Sequence, residues 1–365
     1  HTTGEPARRP GSRLEDPQLV GQAQAQRDLV ALQQDEIDRL AAKRVFVIGT
    51  PSALGPVSPV LAQLGARVAG IFDRPEPHVP AGLAEEARRT AQALGADACL
   101  VIGGGSAIGL GKAVALTSGL PLIVVPTTYA GSEMTSIYGI TDGGVKRTGR
   151  DPRVLPRTVL YDPTLTMSLP SNLSASSGMN AIAHCVEALY AQDGNPVISL
   201  MAEEGIRALA QALPGLVACP NDENARTLAL YGAWLAGTSL GSTTMALHHK
   251  ACHVLGGSFE LPHAEMHSVV LPHAAHYNRE AAPGAMNRVA RALGSDEGPA
   301  GLFELAQRLQ LPRSLASLGM PESGLLHAAQ QITAAPYPNP APLSFDGVLA
   351  LLQAAWSGVA PGTVT

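Results

Sequence analysis

Residues 96–113 read ADACLVIGGGSAIGLGKA. Ala96–Ile102 is short and almost wholly apolar. A run of that length, ended by glycines, suits a strand buried on both faces rather than one with a wet side. Gly103-Gly104-Gly105-Ser106 turns the chain, and Ala107–Ser118 continues as a helix. Strand, glycine turn and helix together make the repeating piece of a parallel sheet, because a parallel neighbour requires a crossover. Working outward, three similar apolar runs alternate with helical stretches: RVFVIG at 44–49, RVAGIF at 67–72 and LPLIVV at 120–125. Pro80–Leu94 supplies another crossover helix. A hairpin excursion starts at Ile137, and a last strand is expected at Thr158–Tyr161. The N-terminal part is therefore predicted as an α/β domain with a Rossmann-like parallel sheet.

After Asp162-Pro163 the pattern changes. Helical periodicity runs from about Ser174 to the end, with breaks expected near Gly194–Pro196, Pro214–Pro220, Gly256–Gly257 and Pro283. Ala334–Pro342 is a rigid Pro-rich loop before a last helix, Ser344–Trp356. The expected division is a polar tail at 1–19, a dinucleotide-binding α/β domain at 20–163 and an all-α domain at 164–365. A helical pattern from about Pro17 to Ala42 leads into the first strand.

Composition narrows the function classes. Apolar residues make up 45% and charged residues 15% of 365 residues, which is a globular chain able to bury two cores. The net charge of −5 and an aromatic content of 4% argue against nucleic acid as a partner. No apolar run is long enough to span a bilayer, and the N-terminus lacks an apolar signal core. Cys99, Cys185, Cys219 and Cys252 are scattered, without CxxC spacing, as expected for free thiols in a cytoplasmic protein.

The glycine turn has chemical meaning because of where it lies. Amides of Gly103, Gly104, Gly105 and Ser106 at a helix start, with the helix dipole behind them, attract a phosphate. The turn is neither GxGxxG nor a P-loop, and a tight turn without a ligand would read the same. A second polar loop, Pro126–Glu133, also follows a parallel strand and offers Thr127, Thr128 and Ser132. Two such loops at neighbouring carboxyl ends are where open α/β sheets bind cofactors. The strand Arg44–Gly49 leads into Thr50-Pro51-Ser52 without a carboxylate to hold a ribose 2′-OH. Either NADH or NADPH is thus expected, with Thr50 beside it; Asp73 is a weaker candidate for the ribose.

Leu247–His276 holds seven of the eleven histidines: His248, His249, His253, His263, His267, His273 and His276. His249 and His253 share a helix face at i and i+4, as do Asn180 and His184. His263 opens another helix behind Pro262. Imidazoles and one oxygen ligand spread over three helices could hold a divalent metal. Asn180 is neutral, however, and a cation favours a carboxylate. Without a metal the same groups form an anion pocket, aided by Lys146 and Lys250. Any single histidine is more often structural, and His248, His267, His273 and His276 are read so.

Five stretches carry a resemblance: GGGSAIGLGKA at 103–113, PTTYAGSEMT at 126–135, KRTGRDPRVLPRTVLYDP at 146–163, GMNAIAHCVEALYA at 178–191, and the segment 240–274. They resemble the iron-dependent alcohol dehydrogenases, and within them the maleylacetate reductase branch. In the metal-dependent branch the ligands are an Asp and three His, which fall here on Asn180, His184, His249 and His263. His253 matches a further active-site histidine. Asn180, Gly109 and the Tyr129-Ala130 insert resemble the reductase branch, so no metal is expected. The resemblance implies NADH- or NADPH-dependent reduction of the conjugated C=C of maleylacetate to 3-oxoadipate, a small dicarboxylate from aromatic degradation. His253 and His249 would serve the enolate. Lys250, Arg147, Lys146 and Tyr129 are candidates for the substrate carboxylates, with Lys146 also near the cofactor. A homodimer is implied, although Val20-Gly21-Gln22-Ala23 has Ala where relatives carry a second turn glycine. Two other readings stay open: a metal-dependent alcohol dehydrogenase for a small polar alcohol, and a silent ligand-binding homologue.

Overall fold

The computed structural model describes residues 34–143 and 145–363. The expectations about the polar tail, the 20–23 turn and the first part of the Pro17–Ala42 helix lie outside them; residues 34–39 are helical. The first half builds β1 (Val45–Ile48), α1 (Pro51–Leu54), α2 (Ser58–Leu64), β2 (Val68–Phe72), α3 (Ala81–Ala93), β3 (Ala98–Gly103), α4 (Gly105–Ser118) and β4 (Leu122–Pro126). An antiparallel pair follows, β5 (Ile137–Asp142) and β6 (Val145–Arg150), then the short β7 (Thr158–Val159). The sheet order is β2-β1-β3-β4-β7, with every pairing parallel.

The sheet is buried on both faces, as its apolar strands require. Val45, Val47, Leu100 and Ile102 face a core that α2 closes with Val60, Leu61 and Leu64. Phe46, Ile48, Cys99 and Val101 face the opposite core, closed by α3 and α4 through Ala84, Ala87, Ile108 and Leu110. Each such aliphatic side chain contributes about 1.5–3 kcal/mol by leaving water. From β1 the chain steps to β2 on one side, then crosses back to β3 on the other. The order therefore reverses between β1 and β3, and an open parallel sheet has its ligand crevice at that point. Thr50 and Gly103–Gly105 stand at its two lips.

From Ser171 onward every described element is helical: α5 (Ser171–Leu189), α6 (Pro196–Ala218), α7 (Glu223–Ser242), α8 (Leu247–Phe259), α9 (His263–Asn278), α10 (Pro283–Leu293), α11 (Gly298–Arg308), α12 (Leu325–Thr333) and α13 (Phe345–Ser357), apart from one short 3-10 turn at Glu322–Gly324. The protein is thus a parallel α/β sheet followed by an all-α part. α5 is buried on nearly every side from Ser174 to Ala188, which marks it as the central helix. Arg150 at the end of β6 joins the two parts. Its guanidinium donates to the carbonyls of Gly241 (2.9 Å) and Thr243 (2.8 Å) at the end of α7, where free carbonyls favour a cation.

Two expected breaks come slightly late: α6 ends at Ala218, inside the expected 214–220 stretch, and α8 ends at Phe259, just past Gly256–Gly257. Pro214 lies inside α6. A mid-helix proline costs about 3 kcal/mol, but Leu209, Ala212, Leu213 and Leu216 bury on both sides of it and hold the helix together. Gly256 and Gly257 lie inside α8, which ends only at Phe259, where Glu260 turns left-handed at φ 53°.

Candidate active site

A cavity of about 420 Å³ opens between the carboxyl edge of the sheet and α5, α8 and α9. Gly105, Ser106, Ser132 and Lys146 line its sheet side, and Asn180, His184, His249, His253 and His263 its helical side. The two groups predicted from sequence thus share one space, with His267 added to them.

The sheet side suits a diphosphate. Gly104 caps α4 without any side-chain hydrogen bond, so the first amides of the helix remain free. A Cβ on Gly105 would meet nothing within 4 Å, so this backbone is open to the cavity. Gly103 has φ +150°, a conformation that favours glycine, and its carbonyl accepts from Thr127 N at 3.1 Å. A Cβ on Gly104 would lie 2.7 Å from Thr128 Cγ2. Thr127 and Thr128 therefore shape the turn rather than line the cavity. Thr50 caps α1 through Ala53 N, and its hydroxyl lies 3.0 Å from Ser52 Oγ.

Lys112, which sequence reading passed over, secures the second loop. Its ammonium donates to the carbonyls of Ser132 (2.6 Å), Thr135 (2.8 Å) and Ile137 (2.9 Å). Burial lowers its pKa to about 7, against an opposing pull from Glu133. The visible signal was a lone cation in an otherwise apolar helix.

The helical side is built on spacing. Asn180, His184 and Glu187 stand at i, i+4 and i+7 on one face of α5. Glu187 is fully buried, and its carboxylate accepts from Ala246 N (2.9 Å), His248 N (2.8 Å) and His249 Nδ1 (2.7 Å). Burial pushes its pKa up, but the His249 bond, the nearby imidazoles and the Ala246 amide overcome this and hold it at about 2. The His249 ring stacks on His184 with centroids 5.1 Å apart. Behind them His248 Nε2 and His267 Nδ1 are 2.9 Å apart in a buried hydrogen bond. Burial lowers the pKa of His248 to about 3 and holds those of His184 and His267 well below the usual imidazole value. Asn180 Oδ1, His184 Nδ1, His249 Nε2 and His267 Nε2 are buried with no protein partner, and all four residues line the cavity. Such orphaned groups at a cavity floor are complementary to a polar ligand.

The arrangement does not form a closed metal cage. Among the described residues, the one group of three His, Cys, Asp or Glu side chains with donor atoms within 4.8 Å of one another is His248, Cys252 and His267. There the two imidazoles already bond each other at 2.9 Å, closer than the roughly 3.3 Å between tetrahedral nitrogen ligands about 2.0–2.1 Å from an ion. His184, His249 and His263 do not converge in this way, and Asn180 adds no charge.

Three predicted substrate contacts lie elsewhere. Tyr129 is a core residue with no exposed surface, and its hydroxyl accepts from buried Arg226 at 3.0 Å. That guanidinium, also bonded to Ser174 Oγ and the carbonyls of Leu169 and Pro220, needs an acceptor there. Arg147 falls between Lys146 and Thr148, which both line the cavity; strand alternation turns it to the other face. Lys250 follows His249 by one residue, about 100° around α8 and off the cavity wall.

Residues 26–163 match the model of the iron-containing alcohol dehydrogenases, and residues 174–356 that of the Fe-containing alcohol dehydrogenase family, C-terminal. A maleylacetate reductase of Burkholderia cepacia is 58% identical over 89% of this chain and 93% of that protein. The crystal structure of a maleylacetate reductase from a Rhizobium species superposes with a TM-score of 0.86 at 47% identity, over 90% of this chain and 93% of that one. A putative alcohol dehydrogenase from Ralstonia eutropha superposes at 0.89 with 52% identity, over 92% and 95%. By sequence and by fold, the chain belongs to the iron-containing alcohol dehydrogenase family.

Proposed function

We propose that this chain is a maleylacetate reductase that uses NADH or NADPH and works without a metal. The observation that carries the reading is a single cavity joining the open Gly105 turn to a cluster of imidazoles in which a neutral Asn180 stands. When bound, the reduced nicotinamide supplies a hydride to the double bond of the substrate. The free amides of α4 hold the cofactor diphosphate. His253 and His249 line the cavity beside the substrate; His253 donates to the oxygen that gains charge as the enolate forms, and His249, protonated from solvent at Nε2, delivers a proton to carbon. Lys146 on the cavity wall pairs with a substrate carboxylate. Lys112 keeps the Ser132–Ile137 loop in place beside the cofactor turn.

Maleylacetate-dependent loss of NADH or NADPH absorbance at 340 nm tests the reaction; no loss with this or any close enone diacid overturns it. The same assay before and after EDTA, with metal analysis of protein purified without chelator, tests the second part. Full activity in metal-poor protein is expected. Stoichiometric iron or zinc, with activity lost on its removal, would overturn the metal-free reading.

A further inference from the structure

His249 has two distinct nitrogens, and only one has a protein partner. Nδ1 lies 2.7 Å from Glu187 Oε2, while Nε2 is buried without a protein partner on a cavity-lining residue. Glu187 comes from another helix, 62 residues away in sequence. Both its oxygens are already engaged as acceptors: Oε1 takes His248 N at 2.8 Å and Oε2 takes Ala246 N at 2.9 Å. These amides lie at the start of α8, whose cap residue Ala246 supplies no side-chain acceptor. A carboxylate seated on the positive end of that helix is favoured. The imidazole next to it must then donate through Nδ1.

We propose that Glu187 is a positioning residue that fixes His249 in the Nδ1–H tautomer, so that the neutral ring presents the Nε2 lone pair to the cavity floor. One carboxylate thereby caps α8 and sets the polarity of the histidine two residues into it. The other groups facing His249 cannot do this. His184 stacks on it at 5.1 Å, and His248, His253 and His267 meet it edge-on. Asn180 Oδ1, His184 Nδ1 and His267 Nε2, on residues lining the same cavity, are also without protein partners. In this tautomer His249 accepts a hydrogen bond or a proton from whatever occupies the floor and returns it from the same atom. The proposal rests on the reductase reading only for the identity of that occupant.

The test uses full-length enzyme labelled with ¹⁵N-histidine, without substrate or cofactor. Long-range ¹H–¹⁵N correlation spectra distinguish the two neutral tautomers, and His249→Gln identifies the resonance by its loss. The expected result is Nδ1–H in the wild type and a switch to Nε2–H in Glu187→Gln, where the amide NH₂ replaces the acceptor. An Nε2–H wild-type ring, or an unchanged tautomer in Glu187→Gln, overturns the proposal. Glu187→Gln is also expected to lower kcat about 10- to 100-fold with little change in the KM for dinucleotide, and Glu187→Asp to recover part of it. A Tm loss without a change in kcat would leave Glu187 merely structural and would also overturn it. Because the tautomer is read without maleylacetate, failure of the substrate assignment would leave the spectral result intact.

Discussion

Replacing Gly105 by alanine should separate folding from cofactor binding. Gly105 is the first residue of α4, and an added Cβ finds open space rather than a neighbour. Its φ lies outside the left-handed region, so alanine fits without strain. Such a change stabilises the fold by about 0.4–1 kcal/mol through the unfolded chain. That corresponds to a Tm rise of roughly 1–4 °C. The new methyl projects into the cavity where the cofactor diphosphate must approach the helix amides. Losing one hydrogen bond to a charged group removes about 1.5–3 kcal/mol, or roughly 10- to 150-fold in Kd. Fluorescence titration with NADH and NADPH, beside a thermal scan, reads both quantities. Gly104→Ala is the contrast, because its Cβ would lie 2.7 Å from Thr128 Cγ2 and the fold itself should lose stability. A Gly105→Ala protein that binds dinucleotide as tightly as wild type would refute the placement of the cofactor on this turn.

Tyr129→Phe should leave the KM for maleylacetate unchanged, while the loss of an acceptor for buried Arg226 lowers stability by about 1–3 kcal/mol; a raised KM with an unchanged Tm would return Tyr129 to the substrate site. Lys146→Ala should raise that KM about tenfold or more, whereas Arg147→Ala and Lys250→Ala should not; the reverse pattern in steady-state kinetics would move the carboxylate contact. Acid should destabilise the fold well before its carboxylates titrate. His248 is lowered from 6.5 to about 3, and His184 and His267 are lowered too. The unfolded chain therefore binds more protons below pH 6.5, so this stabilisation is complete above pH 6.5 and is lost progressively towards pH 3. Each such histidine contributes up to about 1.4 kcal/mol per pH unit in that window. Thermal scans from pH 8 to pH 5 should show Tm falling below pH 6.5, and a flat profile would count against neutral, buried imidazoles.

Much of this was legible in the chain itself, and for a local reason. Apolar runs of strand length, a glycine turn before a helix, and histidines at i and i+4 are short-range patterns, so the parallel sheet, Gly105, Asn180, His184, His249 and His253 could be read directly. The breaks after α6 and α8 were legible too, but not the residues at which the two helices stop. Pro214 and Gly256–Gly257 signal breaks locally, yet buried neighbours on either side of the proline carry α6 on to Ala218, and α8 runs on to Phe259. Tyr129 reads as a polar loop residue until the fold places buried Arg226 beside it, 97 positions away. Arg147, Lys146 and Lys250 look alike in sequence, and only strand alternation and helix rotation decide which one meets the cavity. Glu187 sits in plain view three residues after His184. Its role depends on Ala246, His248 and His249, which the chain brings to it only by packing α8 against α5. Sequence alone could specify which groups were available for chemistry. Which nitrogen of His249 is engaged by the protein depends on a carboxylate from another helix, and only the tertiary structure supplies that contact.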